Sequence, residues 1–347
     1  MTALSFQDKY DAFINKDSSF EGLCVMAVKT TGIFCRPLCS ARKPKPENVE
    51  FFNSNKDALC NGYRPCKVCK PLEPLGLTPD NIQELITKLH NDPYRRIKDK
   101  DIRNYGIDPV SLRRWFLKHH NMTFQAYQRL YRINHAYRQM SSGNSVTASA
   151  FDSGYESLSA FTDQFISIFG KPPTKAGEKS VINITRITTP LGPLFACAND
   201  RGISLVEFTD RRMLETNIQA LRKRRNAVIL PGPHPLFNDL EKQMAEYFSG
   251  KRQLFDLPLD NPGTDFQQTV WKMLHTIGYG ETISYQMLAQ RIGSPGAVRA
   301  VANANGHNRI AIINPCHRVI GKDGTLTGYG GGLERKRWLL DHERQFA

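Results

Sequence analysis

Apolar residues recur at one-sided helical spacing through the middle of the chain and at alternate positions farther on. Thr78-Pro79 has the form of a helix cap followed by a first-turn proline. Ile82, Leu85, Ile86 and Leu89 then fall at i, i+3, i+4 and i+7, which predicts an amphipathic helix. Short helices are expected to continue through 90–173, broken at Gly106, Ser142-Gly143, Gly154 and Gly170. Asp108-Pro109 opens one of them, with Leu112, Trp115 and Phe116 inward and Arg113, Arg114 and Lys118 outward. The period then changes. In "INITRITTPLGPLFACANDRGISLVEFTD", residues 182–210, β-formers alternate between Pro-Leu-Gly and Asn-Asp-Arg-Gly turns, predicting a hairpin meander. Helical spacing returns at 236–248, at 265–277, where Phe266, Val270, Trp271 and Leu274 share a face, and in 284–293 and 294–306.

"KPLEPLGLTPD" (70–80) and "GKPPTKAGEKS" (170–180) interrupt these patterns and read as linkers. They divide the 347 residues into a cysteine-rich segment, a helical segment and a longer mixed one, a multidomain α+β organisation. No fixed-period repeat or low-complexity tract is present. The hydrophobic fraction of 40% suffices for ordinary cores, while a formal charge of +14 points to an anionic partner, nucleic acid before acidic membrane. The basic excess is spread over all three segments, as expected of a chain lying along a polyanion. No stretch approaches the roughly 20 apolar residues of a bilayer span, and the acidic start "MTALSFQDKYDAF" lacks a signal core, so a cytoplasmic chain is expected.

Six of the eight cysteines crowd the first 70 residues. Cys35-x3-Cys39 and Cys66-x2-Cys69 form two close pairs, and soft thiolates so spaced suit one tetrahedral Zn2+. Cys24 and Cys60 lack a close partner and read as core. A zinc held by four thiolates carries net charge −2, unusual beside Arg36, Arg42, Lys43, Arg64, Lys67 and Lys70. On spacing alone, a structural metal with a solvated basic face is the leading reading. "TTGIFCRPLCSAR", "NVEFF" and "GYRPCKVCKP" resemble the amino-terminal domain of the Ada adaptive-response family. That resemblance implies that Cys35 is both ligand and acceptor of a methyl group from a DNA phosphotriester, with Cys39, Cys66 and Cys69 completing the site. It also implies that Arg36, Arg42, Arg64 and Lys67 face DNA. Methylating one thiolate would change the site from −2 to −1, worth about 1–3 kcal/mol of affinity near a phosphate.

In the helical segment, the helix opened by Asp108-Pro109 with Gly106 in the preceding turn reads as a helix-turn-helix. Basic helices are more often solvated faces than DNA readers. "ASAFDSGYESLSAFTDQFISIFGKPP", residues 148–173, repeats the arrangement and resembles the signature of AraC-type regulators, which carry two such motifs joined by a helix. The resemblance implies groove-facing Arg113, Arg114, Ser157 and Ser159.

Cys316 and His317 adjoin each other in "AIINPCHRVI", residues 311–320. Neighbouring side chains on a strand point apart, so a buried core cysteine is the leading reading of the pattern alone. "NPCHRVIG", "GTLTGYGGGLERKRWLLDHE", "GETISYQMLAQRIG" and "AVRAVANANGHN" resemble the O6-alkylguanine-DNA alkyltransferases over about 182–347. The resemblance implies that Cys316 attacks the methyl carbon of a flipped-out O6-methylguanine. His317 would take the thiol proton through water, and Glu343 would orient the histidine. Asn308 would fix the local turn, Tyr285 would donate to the leaving guanine, and Arg299 would fill the base stack from a small-residue helix. Tyr329 and Lys336 would line the pocket and contact the DNA. One residue departs from the pattern: the family has an apolar residue before Pro-Cys, and this chain has Asn314.

The resemblances imply a zinc-bound α/β domain over 1–75 and an all-α double helix-turn-helix domain over 80–173. An alkyltransferase would follow over 181–347, with an RNase H-like sheet part (181–258) and a winged-helix-like active-site part (262–347). The implied function is stoichiometric methyl transfer from DNA to Cys35 and Cys316, coupled to transcriptional regulation. Expected partners are double-stranded DNA and, for an activator, RNA polymerase, with a monomeric, nucleoid-associated chain. Two other readings compete: a zinc-containing transcription factor with a degenerate alkyltransferase domain, and a Cys-His-Glu hydrolase. The second would need an oxyanion hole and a transient acyl adduct.

Overall fold

The structure is a computed structural model that describes residues 5–73 and 77–347. In the first segment, Ser5 and Asp8 form a capping box that starts the helix Phe6–Asn15. This helix covers a four-stranded sheet with spatial order Val49–Phe52, Val25–Val28, Ile33–Cys35, Arg64–Pro65. Alternation along Val25–Val28 separates two small cores. Met26 joins Phe13 and Phe20 on one face, while Val25 and Ala27 join Phe34 and Ala58 on the other. Cys24 is buried as expected, but Cys60 is exposed at the end of the helix Asn55–Cys60 and belongs to neither core.

Six helices follow: Asp80–Asn91, Asp99–Asn104, Pro109–His120, Phe124–Ser141, Val146–Asp152 and Leu158–Phe169. Ile82, Leu85, Ile86 and Leu89 are buried on one face of the first, as the spacing predicts. Its cap differs from expectation: Pro79 is the N-cap residue, with no side-chain cap bond, and the helix begins at Asp80. Part of the 70–80 linker lies outside the described residues. Asp108 caps the third helix by accepting from the Ser111 amide at 2.8 Å, and Leu112 and Phe116 are buried with Trp115 half-buried beside them. Phe124–Ser141 is not short: its 18 residues join the two helix-turn-helix units.

The second unit is pinned at Gly154. Its φ is +72°, and a Cβ there would lie 1.8 Å from the Tyr94 carbonyl oxygen. From the joining helix, Arg132 donates to the Ser153 carbonyl at 2.6 Å and also to Gly154, with its guanidinium 4.5 Å from the Tyr155 ring centre. Gly154→Ala is therefore expected to cost about 2–4 kcal/mol through backbone strain and overpacking, measured by urea unfolding.

The meander is present as Ser180–Ile187, Leu194–Asn199 and Gly202–Phe208, and a fourth strand, Ala227–Pro231, pairs parallel to the first. The helix Leu214–Arg225 covers one face of this sheet and Pro235–Phe248 the other. The remaining helices are Asp265–Leu274, Tyr285–Arg291, Val298–Gly306 and Leu333–Gln345. Val270, Trp271, Leu274, Leu288 and Val301 form a core that includes Cys316.

The segments are packed on one another. Ile133 and Ala136 of the joining helix share a core with Val228 and Leu230, while Asn134 donates to Asn183 at 2.7 Å and to the Pro231 carbonyl at 3.1 Å. The stretch expected as a linker at 170–180 forms 3-10 turns over Pro173–Glu178, kinked at Lys175, and leads directly into the sheet. On the other side, the almost fully buried Arg335 bonds Asp210 at 2.8 Å, the Leu191 carbonyl at 2.9 Å and the Ser18 carbonyl at 3.4 Å.

Candidate functional site

Two candidate centres stand apart in the chain. At the first, Cys35 ends the strand Ile33–Cys35, and the Cys66 amide donates to the Phe34 carbonyl at 3.0 Å, so the parallel pairing of Ile33–Phe34 with Arg64–Pro65 brings the two strand ends together. Turns closed by Cys39 N–H to Arg36 O (3.1 Å) and Lys70 N–H to Cys66 O (2.9 Å) fold Cys39 and Cys69 back over them. The four Sγ atoms lie within 4.8 Å of one another, with Cys39 and Cys66 at 4.0 Å. Sulfurs about 2.3 Å from a tetrahedral zinc stand about 3.8 Å apart, so the four cysteines fit one Zn2+.

Cys69 is half-buried and Cys35, Cys39 and Cys66 are buried, so exposure alone would not select Cys35 among the four. Arg42, Arg64 and Lys67 are exposed around the cluster. Arg36 is not. It is buried, pairs with Glu21 at 3.2 Å and donates to the Lys70 carbonyl at 2.8 Å and to the Glu73 carbonyl. Its expected place at a DNA surface is thus corrected: its charge closes the metal loop from inside.

Arg113 and Arg114 are exposed on Pro109–His120. Ser157 and Ser159 are exposed at the start of Leu158–Phe169, but the Ser157 oxygen is engaged as the N-cap, accepting from the Ala160 amide at 3.3 Å.

The second centre is built on the turn after Ile310. Asn314 N–H bonds Ile310 O at 3.0 Å, and Ile312 is held at φ +71°, a conformation costing a β-branched residue about 1–3 kcal/mol. Pro315, at φ −80° and ψ 57°, centres an inverse γ-turn closed by Cys316 N–H to Asn314 O at 2.7 Å. The chain therefore turns sharply before the buried thiol. Asn308 reaches back over this turn, its Nδ2 donating to Cys316 Sγ at 3.0 Å. Burial pushes the thiol up, and this hydrogen bond opposes the rise.

His317 is fully buried, with Nε2 2.8 Å from Glu343 Oε1. Its Nδ1 is buried with no hydrogen-bond partner among the described residues. Glu343 also accepts from Arg318 at 2.8 and 3.0 Å, from the Tyr247 hydroxyl at 2.9 Å and from the Gly280 amide at 3.3 Å. Burial alone would raise the Glu343 carboxyl, but His317 and Arg318 outweigh it and hold it well below the usual range. Burial lowers His317, keeping it neutral, so the permanent cation balancing Glu343 is Arg318. The carboxylate then takes the Nε2–H, and the Nδ1 lone pair is left as a base.

Tyr285 is half-buried, its hydroxyl 3.4 Å from the Thr327 carbonyl oxygen and 3.5 Å from Asn305 Nδ2. Asn305 also donates to the Cys316 carbonyl at 3.2 Å. Arg299 is exposed on Val298–Gly306. Of the small residues Gly296, Ala297, Ala300, Ala302 and Ala304, whose size would allow close approach to a minor groove, Ala304 is instead buried in the core. Tyr329 is half-buried with its ring 6.5 Å from that of His317. Lys336, expected among the DNA contacts by resemblance, is fully buried and bonds the carbonyls of Val319 and Thr327, closing the loop beneath Tyr285. It belongs to the pocket wall rather than to the DNA-facing surface. Arg318, Tyr247 and Asn305 were not singled out from the sequence; Tyr247 lies 96 residues before Glu343, and no local pattern links them.

Profiles of four known domains match the chain. They are the metal binding domain of Ada over 8–72, a helix-turn-helix domain over 103–179, the ribonuclease-like domain of 6-O-methylguanine DNA methyltransferase over 183–261, and the DNA binding domain of that methyltransferase over 265–345. The Escherichia coli bifunctional transcriptional activator/DNA repair enzyme Ada is 34% identical over 99% of this chain and 98% of its own length. The methylated-DNA–protein-cysteine methyltransferase of Mycobacterium bovis is 48% identical over 48% of this chain and 95% of its own. The crystal structure of Mycobacterium tuberculosis OGT in complex with DNA is 44% identical, covers 48% of this chain and 94% of its own, and has a TM-score of 0.41.

Proposed function

The chain belongs to the Ada family, and on that footing we propose that it is a DNA repair protein and transcriptional regulator that accepts methyl groups irreversibly on two of its own cysteines. We divide the work among residues 1–75, 80–173 and 181–347, the last with parts at 181–258 and 262–347.

The observation that carries the reading is the Cys316 environment: a buried thiol with a hydrogen-bond donor on sulfur and a neutral histidine whose free nitrogen is Nδ1. The thiol proton passes to His317, and the sulfur attacks the methyl carbon of O6-methylguanine. The S–C bond forms as the C–O6 bond breaks, and its electron pair returns to guanine, which takes a proton with Tyr285 as donor. Arg299 fills the stack of the flipped base. A thioether has no route out, so each chain acts once per acceptor.

At the other centre, Cys35, Cys39, Cys66 and Cys69 would hold zinc, which when bound keeps its thiolates ionised at neutral pH. Cys35 takes the methyl of a phosphotriester, and the phosphodiester departs as a stable anion. Loss of one negative charge there, beside Arg42, Arg64 and Lys67, strengthens DNA binding, with Arg113 and Arg114 reading the groove. Double-stranded DNA is the partner, with RNA polymerase contacted from a monomer in the cytoplasm. Among the described residues, no helix is long and apolar enough to cross a membrane.

Intact-mass analysis and peptide mapping after incubation with methylated DNA test this reading. Two added methyl groups are expected, one on the Cys35 peptide and one on the Cys316 peptide. Label on neither cysteine would overturn it, and label on Cys69 in place of Cys35 would reassign the first acceptor. Glu343→Gln should slow transfer to Cys316 about a hundredfold in single-turnover kinetics, because the carboxylate that sets the His317 tautomer is gone.

A further inference from the structure

Asn314, the one departure from the family pattern around Cys316, is 2% exposed and fully engaged. Its Nδ2 donates to Asn308 Oδ1 at 3.1 Å, and its Oδ1 lies 2.7 Å from Nε2 of the exposed His275. Its backbone carbonyl accepts from Asn308 Nδ2 at 3.0 Å. We propose that Asn314 is a positioning residue: it links His275 to Asn308 in a one-way hydrogen-bond relay that holds the Asn308 amide N–H on Cys316 Sγ. The proposal rests on the reading of Cys316 as the acceptor.

The direction of the relay follows from one backbone group. Ile310 N–H lies 3.1 Å from an atom of the Asn308 amide, and an N–H can only donate, so that atom is the oxygen. The Asn308 amino group therefore faces Cys316. Asn314 meets the same oxygen and must present its amino group, which turns its own oxygen toward His275. That oxygen accepts a hydrogen from Nε2, as either the neutral Nε2–H tautomer or the imidazolium provides. Each amide is thus polarised by the donor behind it, and the last N–H of the series points at sulfur. Hydrogen bonds in such a series strengthen one another at low dielectric. The strengthening favours thiolate over thiol, since a donor on sulfur stabilises the charged form. An apolar residue at this position would leave Asn308 Oδ1 with Ile310 as its sole donor and would cut His275 off from the thiol.

The test uses the full-length protein with Asn314→Leu, which keeps approximate volume without polar atoms, and with His275→Ala and His275→Gln. Two quantities are read for each: the pH midpoint of Cys316 alkylation by iodoacetamide, followed by peptide mass, and the single-turnover rate of methyl uptake from O6-methylguanine DNA. Asn314→Leu is expected to raise the alkylation midpoint by about half a pH unit or more and to slow uptake roughly 3–10-fold. His275→Ala should move both in the same direction by less. His275→Gln, whose amide N–H can serve the same acceptor, should restore them, a rescue that a merely structural role would not produce. A midpoint and rate for Asn314→Leu equal to those of the unmodified chain would overturn the relay. Failure of the unmodified chain to take methyl on Cys316 would instead overturn the functional reading, and the alkylation midpoints would still decide the relay.

Discussion

Cys316→Ala is expected to abolish methyl uptake from O6-methylguanine altogether and to reduce the total from two methyl groups to one. Neither Cys197 nor His317 can take over. Cys197 is fully buried in the sheet core, and His317 is fully enclosed between its carboxylate partner and the pocket. Uptake from phosphotriesters at Cys35 should continue, because that centre is built from a separate sheet with its own cores. The substitution removes one sulfur from a tightly packed site, so it should cost only about 1–2 kcal/mol of stability, against complete loss of the reaction. Peptide mapping with DNA carrying both lesions reads both centres at once. Residual label on the 316 peptide's neighbours would contradict the assignment.

Removing the metal should have the other large effect, and it falls on the first segment alone. A structural zinc contributes about 10–16 kcal/mol to a small domain at neutral pH. The two cores here are each a handful of side chains, too little to hold a segment of this size without a staple. Chelation is therefore expected to unfold the sheet around Cys35 and end uptake there, while Cys316 still reacts at near its original rate. Hydrogen exchange over residues 25–35, compared with 194–208, measures the two regions separately. Protection of 25–35 that survives chelation would show that the cysteines are not the staple.

These features were unequally legible in the amino-acid sequence. The thiol pairs could be read because each lies within one turn, Cys35 with Cys39 and Cys66 with Cys69, where spacing constrains geometry. The helix buried through Ile82, Leu85, Ile86 and Leu89 was legible for the same local reason. Charge was a poorer guide. Arg36 and Lys336 read as DNA contacts, yet one is paired to Glu21 and the other tied to two carbonyls, because neither partner lies near in sequence. Cys60 misled in the opposite direction, as an apolar side chain left in solvent at a helix end. Around Cys316 the pattern alone favoured a core cysteine. Resemblance brought in His317, Glu343 and Asn308, and only the fold added Arg318, Tyr247 and the link from His275 through Asn314. Those partners come from the helix Pro235–Phe248, the end of Asp265–Leu274 and the turn itself, and no window along the chain contains them together.

The bonds from Arg335 to Ser18, Leu191 and Asp210, with the packing of Ile133 and Ala136 against Val228 and Leu230, also bear on how the molecule searches DNA. Modules on loose tethers sample one another's surroundings at an effective concentration set by tether length. Here packed surfaces replace the tether, so capture of DNA by one unit presents the others at a fixed spacing and angle. Lengthening the 170–180 stretch with glycine and serine would then do little to the avidity of the assembly, whereas breaking the Arg335 contacts would let the first segment wander.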